Sequence, residues 1–228
     1  MKSALIVGTG PGLSASLARL FCKHGLQVAM ASRDPSKLAK LAEETAGVTF
    51  ACEATEPDEV AGLFDAVVAT IGAPDIVVYN ASARARGPIT DLDPAEVARA
   101  IAVSAYGGFL VTQQAARLMV ARGSGTILLT GASASVKGYP NSSAFAMGKF
   151  ALRGLASSMA RELSPKGVHV AHFVIDGGIR SATRVNPNDN PDSLLDPDAI
   201  AETYWQVANQ PRSAWTWEVE LRPWVEKF

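Results

Sequence analysis

Short runs of apolar, often β-branched residues alternate along this chain with longer stretches whose apolar residues recur every three or four positions. The first pattern is typical of buried strands and the second of amphipathic helices. Their regular alternation predicts parallel βαβ units, with helices on both faces of one sheet. We therefore expect an α/β fold with a doubly wound parallel sheet. Its seven predicted strands lie at about residues 3–8, 27–32, 48–52, 75–80, 125–130, 168–174 and 215–221.

Aspartate followed by proline marks three predicted helix starts, at Asp34, Asp93 and Asp196. An aspartate side chain can accept a hydrogen bond from the free N–H groups of a first helical turn, and proline suits the first helical position. Thr55-Glu56-Pro57-Asp58 predicts a similar start. The stripe formed by Leu13, Leu17, Leu20 and Phe21 is expected to pack on the sheet.

The length of 228 residues, with 48% hydrophobic and 19% charged residues, suits one domain over residues 1–228. The net charge is −1 and the basic residues are scattered, so we expect neither nucleic acid nor a membrane as partner. Met1-Lys2-Ser3 leads directly into an apolar run, which leaves no room for a signal peptide and predicts a cytoplasmic protein. Two cysteines without CxxC spacing and three scattered histidines predict neither a disulfide nor a metal site.

The one long irregular stretch, residues 176–197, is rich in Asn, Asp and Pro. Long loops in compact domains often cover binding sites, so this segment is a candidate substrate loop. Residues 214–228 follow as a predicted closing strand and tail, because apolar and polar side chains alternate from Trp215 to Arg222.

A glycine-rich turn, Gly8-Thr9-Gly10-Pro11-Gly12-Leu13, joins the first predicted strand to the first predicted helix. Small residues let the backbone approach a pyrophosphate at a helix N-terminus, where the helix dipole favours an anion. We predict that Gly8, Gly10, Gly12 and Leu13 bind a nucleotide. The alternative is a plain tight turn.

The chain resembles the short-chain dehydrogenase/reductase family from this turn to about Ser181. Gly8-x-x-x-Gly12 is similar to the family's TGxxxGxG, with Val7 in place of Thr and Ser14 in place of the last Gly. Phe145-Ala-Met-Gly-Lys149 stands where the family has Tyr-x-x-x-Lys. The resemblance implies a Rossmann-type NAD(P)-binding domain of an atypical subgroup, with Phe for the catalytic Tyr and an incomplete glycine motif.

Strand ends that resemble the family's cofactor contacts supply the remaining binding residues. Ser32 occupies the position where NAD-preferring enzymes place a carboxylate, and Arg33 could instead pair with a 2'-phosphate, which favours NADP over NAD. A solvated arginine beside Asp34 is the alternative for Arg33. The other residues that the resemblance assigns to the cofactor are Glu53, Ala54, Asn80, Ala81, Ser82, Lys149, Gly177, Ile179 and Ser181. Asn80 is expected to brace the strands rather than touch substrate.

The family's catalytic Asn, Ser, Tyr and Lys align with Ser104, Ala132, Phe145 and Lys149, so only the lysine is retained. A phenyl ring can neither give a proton to a carbonyl oxygen nor take one from an alcohol. Lys149 could still hold the nicotinamide ribose.

Two neighbouring residues are candidate substitutes for the missing catalytic groups. Ser133 follows Ala132 directly, and Tyr139 carries a phenol, although its ring could equally form an apolar wall. We expect Ser133 and Tyr139 to line the substrate pocket with Phe145. Asp176 is read either as a polar substrate contact or as a helix cap.

Two functions fit these residues. The first is an NAD(P)-dependent oxidoreductase acting on an unidentified carbonyl or alcohol with an incomplete tetrad. The second is a cofactor-binding module without redox turnover, serving as a nucleotide-responsive or scaffold protein. Apolar stripes near residues 98–120 and 145–163, together with the habit of the family, predict a homodimer or homotetramer.

Overall fold

Seven parallel strands form one sheet in a computed structural model that describes residues 2–187, 190 and 192–226. The strands are β1 Ser3–Val7, β2 Gln27–Ser32, β3 Val48–Ala51, β4 Ile76–Tyr79, β5 Gly125–Thr130, β6 Val168–Ile175 and β7 Glu218–Leu221. Their order across the sheet is β3-β2-β1-β4-β5-β6-β7, and every neighbouring pair is parallel. The predicted fold class is confirmed.

The last strand is shorter than the predicted 215–221. Trp215 and Thr216 are tied back to Gln210, since the Trp215 indole N–H donates to the Gln210 carbonyl and the Thr216 N–H donates to its side-chain oxygen. Regular pairing with β6 therefore begins only near Glu218. The prediction for residues 227 and 228 of the tail lies outside the described residues.

The α-helices are α1 Leu13–Lys23, α2 Ala39–Thr45, α3 Pro57–Ile71, α4 Pro94–Ile101, α5 Gly107–Arg122, α6 Ser143–Leu163 and α7 Pro197–Ala208. A π-helical segment, Ala102–Tyr106, joins α4 to α5. Short 3-10 turns lie at Pro35–Leu38, Ser133–Ser135, Ser164–Lys166 and Arg212–Ala214. None of the helices in the described part of the chain combines the length and apolarity needed to cross a membrane.

Two apolar cores cover the two faces of the sheet. On one face, α1 and α7 pack together over β1 and β6, with Leu17, Phe21 and Tyr204 fully buried. On the other face, α3, α5 and α6 cover β4 and β5, with Val67 and Met119 fully buried. Both faces of the central strands are apolar because both are covered, as expected of a doubly wound sheet.

Three predicted helix starts are confirmed. The carboxylates of Asp34, Asp93 and Asp196 accept hydrogen bonds from the backbone N–H groups of the residues two positions on. The start of α3 differs, because Glu56 precedes the helix and its side chain forms no capping hydrogen bond. Helix α3 instead begins with Pro57, whose fixed φ suits the first turn.

Candidate cofactor and active site

A cavity of about 600 Å³ opens at the carboxyl ends of β1 to β4. Most residues predicted to bind the adenosine half of a dinucleotide line it, namely Gly8, Gly10, Ser32, Arg33, Glu53, Ala54, Asn80, Ala81 and Ser82. Its wall also includes Lys37 and Arg99, which were not among the predicted cofactor-binding residues. We call this space the first cavity.

The glycine turn is shaped for close approach of a ligand. At Gly8, φ is +85°, and a Cβ there would lie 2.3 Å from the Ala81 backbone nitrogen, so no larger residue fits. At Gly10 and Gly12, by contrast, a Cβ would meet nothing within 4 Å. The turn therefore leaves an open cradle at the N-terminus of α1, where backbone N–H groups favour an anion.

Ser14 stabilises this turn through two hydrogen bonds. Its hydroxyl donates to the Gly8 carbonyl at 3.1 Å, and the Asn80 side-chain amide donates to the Ser14 hydroxyl at 2.6 Å. The Asn80 backbone N–H also donates to the Val7 carbonyl. Asn80 thus braces β4 against β1 and α1, which is the role expected of it.

The end of β2 carries an unsatisfied polar atom beside two basic residues. The Ser32 hydroxyl oxygen is buried and has no hydrogen-bond partner among the described residues. Arg33 and Lys37 share this part of the wall, and the Lys37 ammonium lies 3.1 Å from the Asp34 carboxylate. Hydrogen bonds from Ser36 and Lys37 lower the pKa of Asp34. A ribose hydroxyl or its phosphate would satisfy Ser32 and meet positive charge here.

A second cavity, of about 270 Å³, adjoins the first through Asn80 and Ser82. It contains the remaining residues predicted to bind the cofactor, together with Phe145 of the predicted substrate pocket. These are Gly12, Leu13, Phe145, Lys149, Gly177, Ile179 and Ser181. Arg84, Arg180 and Arg184 also line the second cavity and were not anticipated.

Lys149 lies at the base of the second cavity and is only 3% exposed. Its ammonium donates to the Thr130 carbonyl at 2.6 Å and lies 5.9 Å from the centre of the Phe145 ring. Burial, reinforced by the positive charge of Arg84, lowers the pKa of Lys149 to about 7. The side chain is therefore held in place and exchanges its proton near neutral pH, unlike an ordinary lysine.

Ser104, at the family's asparagine position, is fully buried in the π-helical segment. Its hydroxyl accepts a long hydrogen bond, 3.4 Å, from the Ala83 N–H. Gly148 of α6 packs directly against it, because a Cβ at Gly148 would approach the Ser104 Cβ to 2.7 Å. Ser104 therefore fixes the Ala83 loop and α6 rather than opening towards a ligand.

A hydrogen-bonded series of polar side chains, centred on the buried His172, supports the loop after β5. The sequence motifs did not predict it. The Glu218 carboxylate can only accept, so the Nδ1–H of His172 donates to it at 3.1 Å. His172 Nε2 then accepts from the Ser135 hydroxyl at 3.3 Å, and that oxygen accepts from the Ala132 N–H. Burial lowers the pKa of His172 to about 4, which keeps the ring neutral. Arg153 completes the chain with two hydrogen bonds to Glu218.

The two candidate substitutes, Ser133 and Tyr139, lie in the segment between β5 and α6. Ser133 begins the short turn Ser133–Ser135, and Tyr139 is 44% exposed, with the Lys137 ammonium 5.7 Å from its ring centre. Neither lines the first or the second cavity.

The prediction that Asp176 caps a helix is wrong. No helix in the described part of the chain begins between Asp176 and Pro197. The buried carboxylate instead lies 3.5 Å from the Lys137 ammonium and 3.7 Å from the Arg222 guanidinium. These ion pairs hold the end of β6 against the segment after β5 and the residue after β7, and Asp176 lines neither cavity.

The candidate substrate loop, residues 176–197, begins in the wall of the second cavity. Ile179 forms a bridge with Leu195, and Ser181 forms one with Arg184. The prediction for residues 188, 189 and 191 lies outside the described residues. The described part of the loop thus places Ile179, Ser181 and two arginines beside Lys149.

The sheet order, the glycine turn after β1 and the cavities at the carboxyl ends of the strands define a dinucleotide-binding type of α/β domain. A family model described as short chain dehydrogenase matches residues 2–192. The chain belongs to this family.

Individual relatives agree with this assignment. The chain is 34% identical over 174 residues to secoisolariciresinol dehydrogenase of Forsythia intermedia, an alignment that covers 74% of the chain but only 63% of that relative's length. A crystal structure of a short-chain dehydrogenase from Rhodopseudomonas palustris is 34% identical, covers 98% of the chain and 99% of its own, and has a TM-score of 0.85. A metagenomic short-chain oxidoreductase in complex with NADP is 28% identical over 97% of both chains, with a TM-score of 0.84.

Proposed function

We propose that this protein is an NADP(H)-dependent oxidoreductase of small carbonyl or alcohol compounds. It would belong to an atypical subgroup of the family, in which Phe145 replaces the catalytic tyrosine. The observation that carries the proposal is the pair of adjoining cavities, which keeps the binding groups of a dinucleotide site while lacking the usual proton donor. The NADP complex of the metagenomic relative supports the choice of cofactor.

The residues present suit such a cofactor. The open cradle at Gly10 and Gly12 would take the pyrophosphate. The unpartnered hydroxyl of Ser32, with Arg33 and Lys37, would bind the 2'-phosphate of the adenosine ribose. The lack of a carboxylate at Ser32 favours NADP over NAD.

When bound, a reduced nicotinamide supplies a hydride to the carbonyl carbon, and the carbonyl oxygen must then receive a proton. Among the described residues that line the second cavity, Lys149 is the one whose pKa lies near 7. In our proposal it holds the nicotinamide ribose and also gives this proton. Phe145 and Ala132 supply neither acid nor hydrogen bond, and loss of a positioned acid typically costs about 10² to 10⁴ in rate. Turnover is therefore expected to be slow.

The proposed function is tested with a substitution that fills the open space at the glycine turn and leaves the apolar core unchanged. Gly10→Leu places a side chain into open space above the glycine turn, and Gly62→Leu does the same on the exposed surface of α3, away from both cavities. Calorimetry should find NADPH binding to the wild type and to Gly62→Leu, and at least about 100-fold weaker binding to Gly10→Leu, because the pyrophosphate loses its place.

Oxidation of NADPH with a panel of aldehydes and ketones, followed at 340 nm, then tests turnover. Absence of NADPH binding to the wild type, or equal binding to Gly10→Leu, would refute the proposed cofactor site. Tight binding without oxidation of NADPH by any carbonyl compound would favour the second candidate, a cofactor-binding module without redox turnover. The missing hydroxyl of Phe145 is the observation that keeps this candidate open.

We further propose that the protein is a homodimer or homotetramer. Four large apolar side chains are exposed on the helices where association was expected, namely Tyr106, Phe109, Met147 and Phe150. Tyr106 and Phe109 are stacked on each other, with ring centres 6.2 Å apart. Exposed clusters of this kind favour protein contacts.

A further inference from the structure

The second cavity carries a concentration of positive charge. Arg84, Lys149, Arg180 and Arg184 line it, and no acidic side chain of the described residues does. Arg180 is neutralised from outside the cavity by Asp196, at 2.7 Å. Neither Arg84 nor Arg184 forms an ion pair within the described part of the chain. Two guanidinium groups are therefore without a negative partner among the residues that the structure describes.

Arg84 is held in place by the ring that replaces the catalytic tyrosine. Its guanidinium carbon lies over the Phe145 ring, 4.0 Å from the centre, in a cation–π contact. This stacking leaves the N–H groups at the edge of the guanidinium plane free to donate. The like charges of Arg86 and Arg184 repel that of Arg84, and Arg84 in turn repels Lys149. An anion between these groups would relieve the repulsion.

We propose that the second cavity takes a small carbonyl compound that carries an anionic oxygen group, a carboxylate or a phosphate, bound by Arg84 and Arg184. Guanidinium groups bind both kinds of group through paired, charge-assisted hydrogen bonds. The cavity of about 270 Å³ must also admit a nicotinamide, which restricts the substrate to a small molecule. The inference names the substrate class of the proposed function and rests on that function for the carbonyl chemistry.

The experiment measures binding, so it does not depend on turnover. Two matched pairs of probes are titrated by calorimetry into the free protein and into the protein with NADPH: benzoylformate against benzoylformamide, and dihydroxyacetone phosphate against dihydroxyacetone. The charged member of at least one pair should bind at least about tenfold more tightly than its neutral partner. Preference in the first pair identifies a carboxylate site, and preference in the second identifies a phosphate site.

Three variants that each remove one positive charge locate the site. Arg84→Met and Arg184→Met should each weaken binding of the charged probe about tenfold or more, because a charge-assisted hydrogen bond is lost. Arg117→Met is the control that removes one positive charge elsewhere, since Arg117 is exposed on α5 and lines neither cavity. It should leave the affinity for the charged probe unchanged.

The inference is overturned if the neutral probes bind as tightly as the charged ones or if Arg117→Met weakens binding as much as Arg84→Met. A loss of NADPH affinity in Arg84→Met, with probe binding retained, would assign the guanidinium to the cofactor and overturn it as well. If NADPH does not bind the wild type, the proposed function is refuted. The anion site is then still tested, because the titrations of the free protein do not require NADPH.

Discussion

The two cavities differ in how far they keep the pattern of their family. The first cavity retains a glycine turn, the brace from Asn80 and a basic corner at Arg33 and Lys37. The second cavity contains Lys149, the side chains of Phe145 and Ala132, which carry no hydroxyl group, and three arginines. Most groups suited to cofactor binding lie in the first cavity, so the side chains of the second cavity can differ without removing them.

The largest expected effect is an increase in the rate of carbonyl reduction when hydroxyl groups are added to the second cavity. In Phe145→Tyr/Ala132→Ser, a phenol beside Lys149 and a serine hydroxyl return the groups that transfer a proton and hold the substrate oxygen. We expect the rate of carbonyl reduction to rise about 100-fold, which is within the range that a positioned acid contributes. NADPH oxidation under single-turnover conditions measures this rate.

Phe150→Tyr is the control for that repair. It adds the same hydroxyl to an aromatic residue on α6 that is exposed and lines neither cavity. A comparable rise in Phe150→Tyr, or no rise in the double variant while NADPH still binds, would mean that the two missing hydroxyls do not limit the reaction.

The sequence was sufficient to predict the first cavity because local patterns determine its parts. Strand ends in a parallel sheet meet at one edge, so Gly8, Ser32 and Asn80 had to lie together once the strands were found. The seven strands and their common direction followed from alternation of apolar patterns. The start of β7 is the one strand bound misplaced by more than one residue, where hydrogen bonds from Trp215 and Thr216 delay pairing.

The second cavity was less predictable because its new members come from distant loops. Arg84 contacts Phe145 across 61 positions, which is the difference of their numbers, and no local pattern encodes that contact. The same holds for the chain from Ser135 through His172 to Glu218, whose links span 37 and 46 positions. Asp176 was misjudged for the converse reason, since closeness in sequence to the site did not bring its side chain into either cavity.

A smaller loss of NADPH affinity is expected when the charge of Arg33 is removed than when the glycine turn is filled. Arg33→Met removes a charge that would pair with the 2'-phosphate, so NADPH affinity should fall about tenfold while NADH affinity stays unchanged. Calorimetry with both nucleotides measures the two affinities. Arg212→Met, a substitution far from both cavities, is the control. An equal loss for NADH would show that Arg33 supports the wall rather than recognising the phosphate.

The smallest expected effect is on the pH dependence of the free energy of unfolding, to which the buried Lys149 contributes and exposed lysines do not. Burial gives folded Lys149 a pKa of about 7, whereas the unfolded side chain keeps the ordinary value of 10.5. Above pH 7 the unfolded state therefore binds more protons than the folded state, and the free energy of unfolding should rise with pH. Between about pH 7 and pH 8.5 the contribution is roughly 1 kcal/mol per pH unit, and Lys149→Met should abolish it.

Urea unfolding without nucleotide, followed by tryptophan fluorescence at several pH values in this window, measures the slope for each variant. Lys40→Met removes an exposed lysine from α2 and should leave the slope as it is in the wild type. If the free energy of unfolding depends on pH in the same way for the wild type and Lys149→Met, the Lys149 ammonium lies in a far more polar environment than the Thr130 carbonyl and the Phe145 ring provide. Lys149 would then lack the neutral-range proton on which the proposed role in the second cavity depends.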